Sequence, residues 1–110
     1  MCVCLLQRHG LTGWCPRILI FEGNYLSLSA PDEWAAVSGL FDERWFIEVD
    51  EAVAETRLAR RHVAAGICAT LAEGVARAQG NDIPNGRFLV QNRVPVDVVL
   101  LSVDDRELAG

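Results

Sequence analysis

Three short apolar runs, separated by stretches of helical character, constrain the fold of this chain more than any other feature. The runs are Ile18–Phe21, Trp45–Val49 and Val96–Val103, and the first is closed by Glu22-Gly23. A continuous apolar run that ends in a turn signal is typical of a buried strand in a parallel sheet. The order strand, helix, strand, helices, strand therefore predicts an α/β fold with a parallel sheet.

The segments between the runs predict helices at about residues 29–39 and 51–65, and a third helix that begins near residue 67. Residues 80–86 combine Gly, Asn, Asp and Pro and predict a loop, with a short extended stretch over residues 88–90. A parallel sheet normally carries helices on both faces. Three helices are few for that purpose, so we expect part of a larger doubly wound domain.

The composition indicates one globular domain. The chain has 110 residues, of which 51% are hydrophobic and 23% are charged. The net charge of -5 predicts no general attraction to nucleic acid or to anionic membranes. A local basic cluster can still bind phosphate, because such binding depends on the field at the site.

The N-terminal segment predicts no membrane anchor and no metal site. No apolar stretch approaches the roughly 20 residues that span a bilayer, and Met1–Leu6 has no preceding basic segment, so we expect neither a signal peptide nor an anchor. Without a secretion signal, we expect the four cysteines to be reduced thiols of a cytosolic protein. Cys2, Cys4, Cys15 and His9 are residue types that bind zinc, but their spacing in the sequence is not that of a usual zinc site.

Glu22 is the first candidate for chemistry, since it ends a predicted strand. Ligands of open α/β sheets bind beyond the carboxyl ends of the strands, where a carboxylate can hold a magnesium-bound water or orient a hydroxyl. The alternative is a solvated carboxylate at a strand end.

Arg57, Arg60 and Arg61 are the second candidate, because their i, i+3, i+4 spacing puts three guanidinium groups on one helical face. Guanidinium groups match phosphate oxygens, and phosphoryl transfer needs such cations. The alternative is a solvated face balanced by the acidic residues just upstream, which are Asp50, Glu51 and Glu55. His62 follows these arginines in the chain, and a structural role is the simpler interpretation of this residue.

Asn81, Asp82 and Asn85 carry side chains that cap and close turns. A structural role in the predicted loop is the simpler interpretation of these three residues. A nucleotide contact is the alternative.

Six motifs in order resemble the second half of P-loop kinases of the uridine kinase, phosphoribulokinase and pantothenate kinase group. The resemblance covers about residues 17–104 and leaves residues 1–17 unmatched. The motifs are Ile20-Phe21-Glu22-Gly23-Asn24-Tyr25-Leu26, Trp34, Leu40-Phe41-Asp42, Trp45-Phe46-Ile47-Glu48-Val49-Asp50, the stretch from Arg57 to Ile67, and Asn81-Asp82-Ile83-Pro84-Asn85-Gly86.

The resemblance implies a partial doubly wound parallel sheet of the P-loop kinase fold with lid helices, formed by residues 18–110. It also implies ATP and Mg²⁺ as cofactors and a small hydroxyl-bearing acceptor as substrate. Carried over to this sequence, it places Glu22 at the active site and Tyr25 near the acceptor. It places Arg57 and Arg61 in the lid near the phosphates, and Asn81 and Asp82 after the lid helices.

Two departures from the family pattern bear on activity. The G-x-x-x-x-G-K-[ST] loop is absent, and so is the early strand with the catalytic aspartate. We therefore expect a fragment or truncated member of the kinase family that is inactive as this chain. The alternative is a non-catalytic module that binds anions or a protein partner, and an exposed sheet edge would permit self-association.

Overall fold

The computed structural model describes residues 2–7 and 18–104 and has a mixed α/β fold. The predictions for Cys15 and His9 lie outside the described residues. Within the described part, no helix is long and apolar enough to cross a membrane. The elements in chain order are β1 (Cys2–Gln7), β2 (Ile18–Gly23), α1 (Asp32–Ser38), β3 (Glu43–Val49), α2 (Glu51–Ala64), α3 (Leu71–Arg77), a π-helix (Ala78–Asp82), α4 (Ile83–Gln91) and β4 (Val98–Ser102).

The strands form one four-stranded sheet in the order β2-β1-β3-β4. β1 is antiparallel to β2, with Cys2 opposite Gly23, and antiparallel to β3, with Cys2 opposite Phe46. β2 and β3 therefore run in the same direction, as a doubly wound sheet requires. The predicted α/β class is confirmed, and β1 adds a strand of opposite direction from the segment for which no element was predicted.

The prediction that β2 is a buried strand is wrong. Ile18 is 60% exposed, Ile20 69% and Phe21 44%. The reason is position, because β2 lies at an edge of the described sheet and β1 is its one neighbour there. β1 and β3 lie inside the sheet instead. The small apolar core is formed by Cys2, Cys4 and Phe46, with Leu26, Phe41 and Val96 packed against them.

The chain divides into two compact units, residues 1–48 with 92–101 and residues 49–91 with 102–110. In the first unit, α1 begins at Asp32 and not near Ser29. The Ser29 hydroxyl donates instead to the Asn92 carbonyl at 2.6 Å. The Ser29 hydroxyl thus takes part in a tertiary hydrogen bond, and the predicted helix starts three residues later than expected.

The second unit is built on α2, which has the predicted bounds almost to the residue. The Asp50 carboxylate caps it by accepting from the backbone N–H groups of Ala52 and Val53 at 3.0 and 3.2 Å. After Ala64 the chain turns at Gly66, whose φ of 72° suits glycine. α3 then begins after Thr70, whose hydroxyl accepts from the Glu73 N–H.

The loop predicted for residues 80–86 and the extended stretch at 88–90 are wrong, since residues 71–91 are helical throughout. Pro84 is tolerated directly after the π-helix, where the Ile83 N–H reaches back to the Ala78 carbonyl five residues earlier. Ala78, Ile83 and Leu89 are buried. Burial of these side chains overrides the local turn preference of glycine, asparagine and proline.

Candidate anion-binding site

Arg57 is held in place by two partners from the end of β4 and beyond. Its Nη2 donates to Asp104 Oδ1 at 2.6 Å and its Nε to the same oxygen at 3.2 Å. Its Nη1 donates to the Ser102 hydroxyl at 2.8 Å. The Arg57 side chain is 35% exposed, so these contacts orient a guanidinium group that still reaches water.

An open recess of about 300 Å³ lies beside this arginine. It is lined by Ala52, Val53, Thr56, Arg57, Arg60 and Asp104. Five of these residues lie on α2 at helical spacing and share one face of the helix. Small and hydroxyl side chains form its wall, and two guanidinium groups supply its positive charge.

Among the described residues, the acidic residues upstream form no ion pair with Arg57, Arg60 or Arg61, and each has another partner. Asp50 caps α2. Glu51 pairs with Arg87, with a separation of 2.9 Å between Arg87 Nε and Glu51 Oε2, and this hydrogen bond lowers the pKa of Glu51. Glu55 Oε2 accepts from Gln79 Nε2 at 3.0 Å. Direct pairing with the arginines is therefore not seen for Asp50, Glu51 or Glu55 in the described part of the chain, and the balanced, solvated face stays the alternative interpretation.

Arg60 and Arg61 keep their positive charge free. Both are exposed, and within residues 2–7 and 18–104 neither has an ion-pair or hydrogen-bond partner. Arg60 lines the recess beside Arg57, whereas Arg61, the next residue of the helix, does not line it. The α2 face can therefore bind a ligand with several anionic oxygens.

Asp82 and Asn81 lie in the π-helix of the same unit. Asp82 Oδ2 lies 2.7 Å from Nε2 of His62, which is buried on α2. Asn81 is exposed, and its amide approaches Asp82 Oδ1 at 3.4 Å. This contact gives both His62 and Asp82 a structural role. The nucleotide contact predicted for Asn81 and Asp82 stays a prediction.

Glu22 and Tyr25 lie in the first unit. Glu22 is exposed at the end of β2 and pairs in register with Val3 of β1. The Tyr25 ring packs on Trp34, with 5.4 Å between ring centroids. The catalytic role predicted for Glu22 and the acceptor role predicted for Tyr25 stay predictions.

Cys2 and Cys4 are core residues, with 1% and 0% exposure. Burial raises the pKa of the Cys4 thiol, which favours its neutral form. Among the described residues, no three His, Cys, Asp or Glu side chains are grouped as a metal site requires.

Asp104 and Ser102 are the site residues that the sequence analysis missed. Both lie at or just after the carboxyl end of β4, where ligands of α/β sheets commonly bind. That rule was applied to Glu22 at the end of β2. Applied to the last strand, it would have indicated Asp104 as well.

Comparison with known proteins finds homologues for about three quarters of the chain. No protein-family model matches the sequence. A uridine kinase candidate of Schizosaccharomyces pombe is 44% identical over 76% of this chain and 35% of its own length. The ATP-dependent kinase-like protein notR' of Aspergillus versicolor is 41% identical over 73% of this chain and 46% of its own length. The chain thus spans less than half the length of either relative.

Two solved structures are similar to the fold. A fructose transport system kinase candidate from Silicibacter sp. TM1040 has a TM-score of 0.61 and 38% identity, over 70% of this chain and 36% of that protein. YFH7 of Saccharomyces cerevisiae, described as a P-loop-containing kinase with a circular permutation, has a TM-score of 0.55 and 27% identity, over 74% of this chain and 26% of that protein.

Proposed function

Because this chain is homologous to a part of the P-loop kinases related to uridine kinase, we propose that its α2 face binds the polyphosphate of ATP. This binding would serve a reaction in which a phosphoryl group passes to a hydroxyl of a small molecule, and which these 110 residues do not complete alone. The observation that carries the proposal is the pair of exposed guanidinium groups of Arg60 and Arg61, with which no carboxylate of the described residues forms an ion pair. Arginines so placed would neutralise charge on the phosphates.

For the other residues we propose the roles that the kinase resemblance implies, each within its own unit. Arg57, oriented by its contacts with Asp104 and Ser102, would donate to a phosphate oxygen at the recess. Glu22, exposed at the end of β2, would orient the acceptor hydroxyl or a water on Mg²⁺, and Tyr25 would contact the acceptor. When bound, ATP would supply the phosphoryl group, and Mg²⁺ would offset the negative charge of the phosphates.

We propose further that these 110 residues bind polyphosphate without transferring a phosphoryl group. The sequence contains no G-x-x-x-x-G-K-[ST] motif and no lysine at all. Without the backbone amides and the lysine of such a loop, most of the positioning of the β- and γ-phosphates is lost. A role as an anion-binding module is the second candidate function, and the recess beside Arg57 and Arg60 supports it.

The test of binding is an NMR titration with tripolyphosphate at low and at moderate salt. We expect shifts centred on residues 52–61, an affinity on the order of millimolar, or about 4 kcal/mol, and weaker binding at higher salt. Arg60→Ala/Arg61→Ala should weaken binding by about five-fold or more, because two charged donors are lost. Arg77→Ala is the control, since Arg77 is an exposed helical arginine outside α2.

Two results would contradict these proposals. Shifts that are absent from residues 52–61 at low salt would leave the arginines as a solvated face. Magnesium-dependent ATP turnover by this chain, abolished by Glu22→Ala, would contradict the proposed inactivity and support the catalytic role of Glu22.

A further inference from the structure

The Asp104 carboxylate occupies the position on Arg57 that a phosphate oxygen of a ligand would take. One carboxylate oxygen accepts from both Nη2 and Nε of Arg57, at 2.6 and 3.2 Å. The same two N–H groups are the donors that a guanidinium group can present to phosphate in two parallel N–H···O bonds. The Ser102 hydroxyl, at 2.8 Å from Nη1, contacts the opposite side of the guanidinium group.

The two halves of this ion pair differ in exposure. The Asp104 side chain is 74% exposed, and the Arg57 side chain is 35% exposed. Asp104 can therefore rotate into water at small cost, while Arg57 keeps its contact with Ser102 and the helix. Exposed ion pairs contribute only about 0–1 kcal/mol, so a ligand anion can displace the carboxylate.

Asp104 also lies on the wall of the recess that Arg60 lines. A ligand with several anionic groups could contact Arg60 while it replaces the carboxylate on Arg57. A singly charged anion that displaced Asp104 would form one ion pair with Arg57, and Asp104 already forms such a pair. The placement of Asp104 thus disfavours small monoanions and permits polyphosphates.

We propose that Asp104 is a specificity-determining residue that competes internally for Arg57 and that a polyphosphate ligand must displace. The inference rests on the proposed binding of polyphosphate by α2. It adds a residue outside α2 that sets the affinity of the site and its selectivity for ligand charge.

The experiment measures tripolyphosphate affinity by NMR titration for the wild-type chain, Asp104→Asn and Asp32→Asn. Both variants remove one negative charge from a net charge of -5. Asp32, in the first turn of α1, does not line the recess. We expect Asp104→Asn to tighten binding by about two- to five-fold, which corresponds to the energy of an exposed ion pair. We expect Asp32→Asn to change it less.

A double-mutant cycle with Arg57→Ala tests whether Asp104 acts on ligand affinity through Arg57. In the Arg57→Ala background, Asp104→Asn should give no more gain than Asp32→Asn. Equal affinity of wild type and Asp104→Asn, with shifts on residues 52–61 in both, overturns this inference and leaves the proposed function intact. Absence of those shifts in both overturns the proposed function and this inference with it.

Discussion

At the scale of single residues, the contact between Asp82 and His62 decides what Asp82 does. His62 is 9% exposed, its Nε2 lies 2.7 Å from Asp82 Oδ2, and its Nδ1 has no partner in the described part of the chain. Asp82→Ala should therefore lower the free energy of unfolding by about 1–3 kcal/mol, because it leaves a buried imidazole unsatisfied. Urea unfolding followed by circular dichroism measures this loss.

Asn81→Ala is the control for that measurement. Asn81 is the exposed neighbour of Asp82 in the π-helix, and its loss should change the unfolding free energy by no more than about 0.5 kcal/mol. Equal stability of the two variants would contradict the structural role of Asp82. It would also restore the nucleotide contact as the better account of this residue.

At the scale of secondary-structure elements, the packing of α3 on α2 depends on a glycine. A Cβ atom at Gly74 would lie 2.7 Å from the Ala59 carbonyl oxygen and 3.0 Å from Ala59 Cα. Both atoms belong to the backbone and cannot rotate away. Gly74→Ala should therefore lower the unfolding free energy by about 1–3 kcal/mol, despite the higher helix propensity of alanine.

Gly86 on α4 is the matched helical site, since nothing lies within 4 Å of an added Cβ there. Gly86→Ala should raise the unfolding free energy by about 0.5–1 kcal/mol through helix propensity alone. Chemical denaturation of the wild type and the two variants tests whether the unfolding free energy falls in Gly74→Ala and rises in Gly86→Ala. A stabilising Gly74→Ala would mean that α2 and α3 separate readily to accept the methyl group.

At the scale of the whole molecule, the exposed apolar side chains of the edge strand β2 predict self-association. An edge strand presents unpaired backbone groups, and the core of the first unit is small. We expect dimers or larger species in size-exclusion chromatography with light scattering. Ile20→Lys should shift the protein toward monomer, because a charge on an edge opposes strand pairing.

Leu40→Lys is the control for the edge effect. Leu40 is 68% exposed, close to the 69% of Ile20, but lies in the turn after α1 and in no strand. It should leave the distribution of species unchanged. A monodisperse wild-type monomer, or equal effects of the two substitutions, would exclude β2 as the contact.

The sequence by itself determined the features that depend on local pattern. The apolar run before Glu22 predicted β2, the run at Trp45–Val49 predicted most of β3, and the helical stretch of about residues 51–65 predicted α2. These predictions succeeded because periodicity, caps and glycine preferences act within a few residues. The kinase resemblance, carried by six motifs in order, agrees with the homologues and similar structures.

Only the tertiary structure decided the partners of each element and side chain. It placed β1 between β2 and β3 in the opposite direction, and it kept residues 80–86 helical by burying Ile83 and pairing Asp82 with His62. It also paired Arg57 with Asp104, 47 residues away, and gave Arg60 no ion-pair partner within residues 2–7 and 18–104. Contacts between residues far apart in the chain depend on the packed geometry, which local propensity and spacing do not specify.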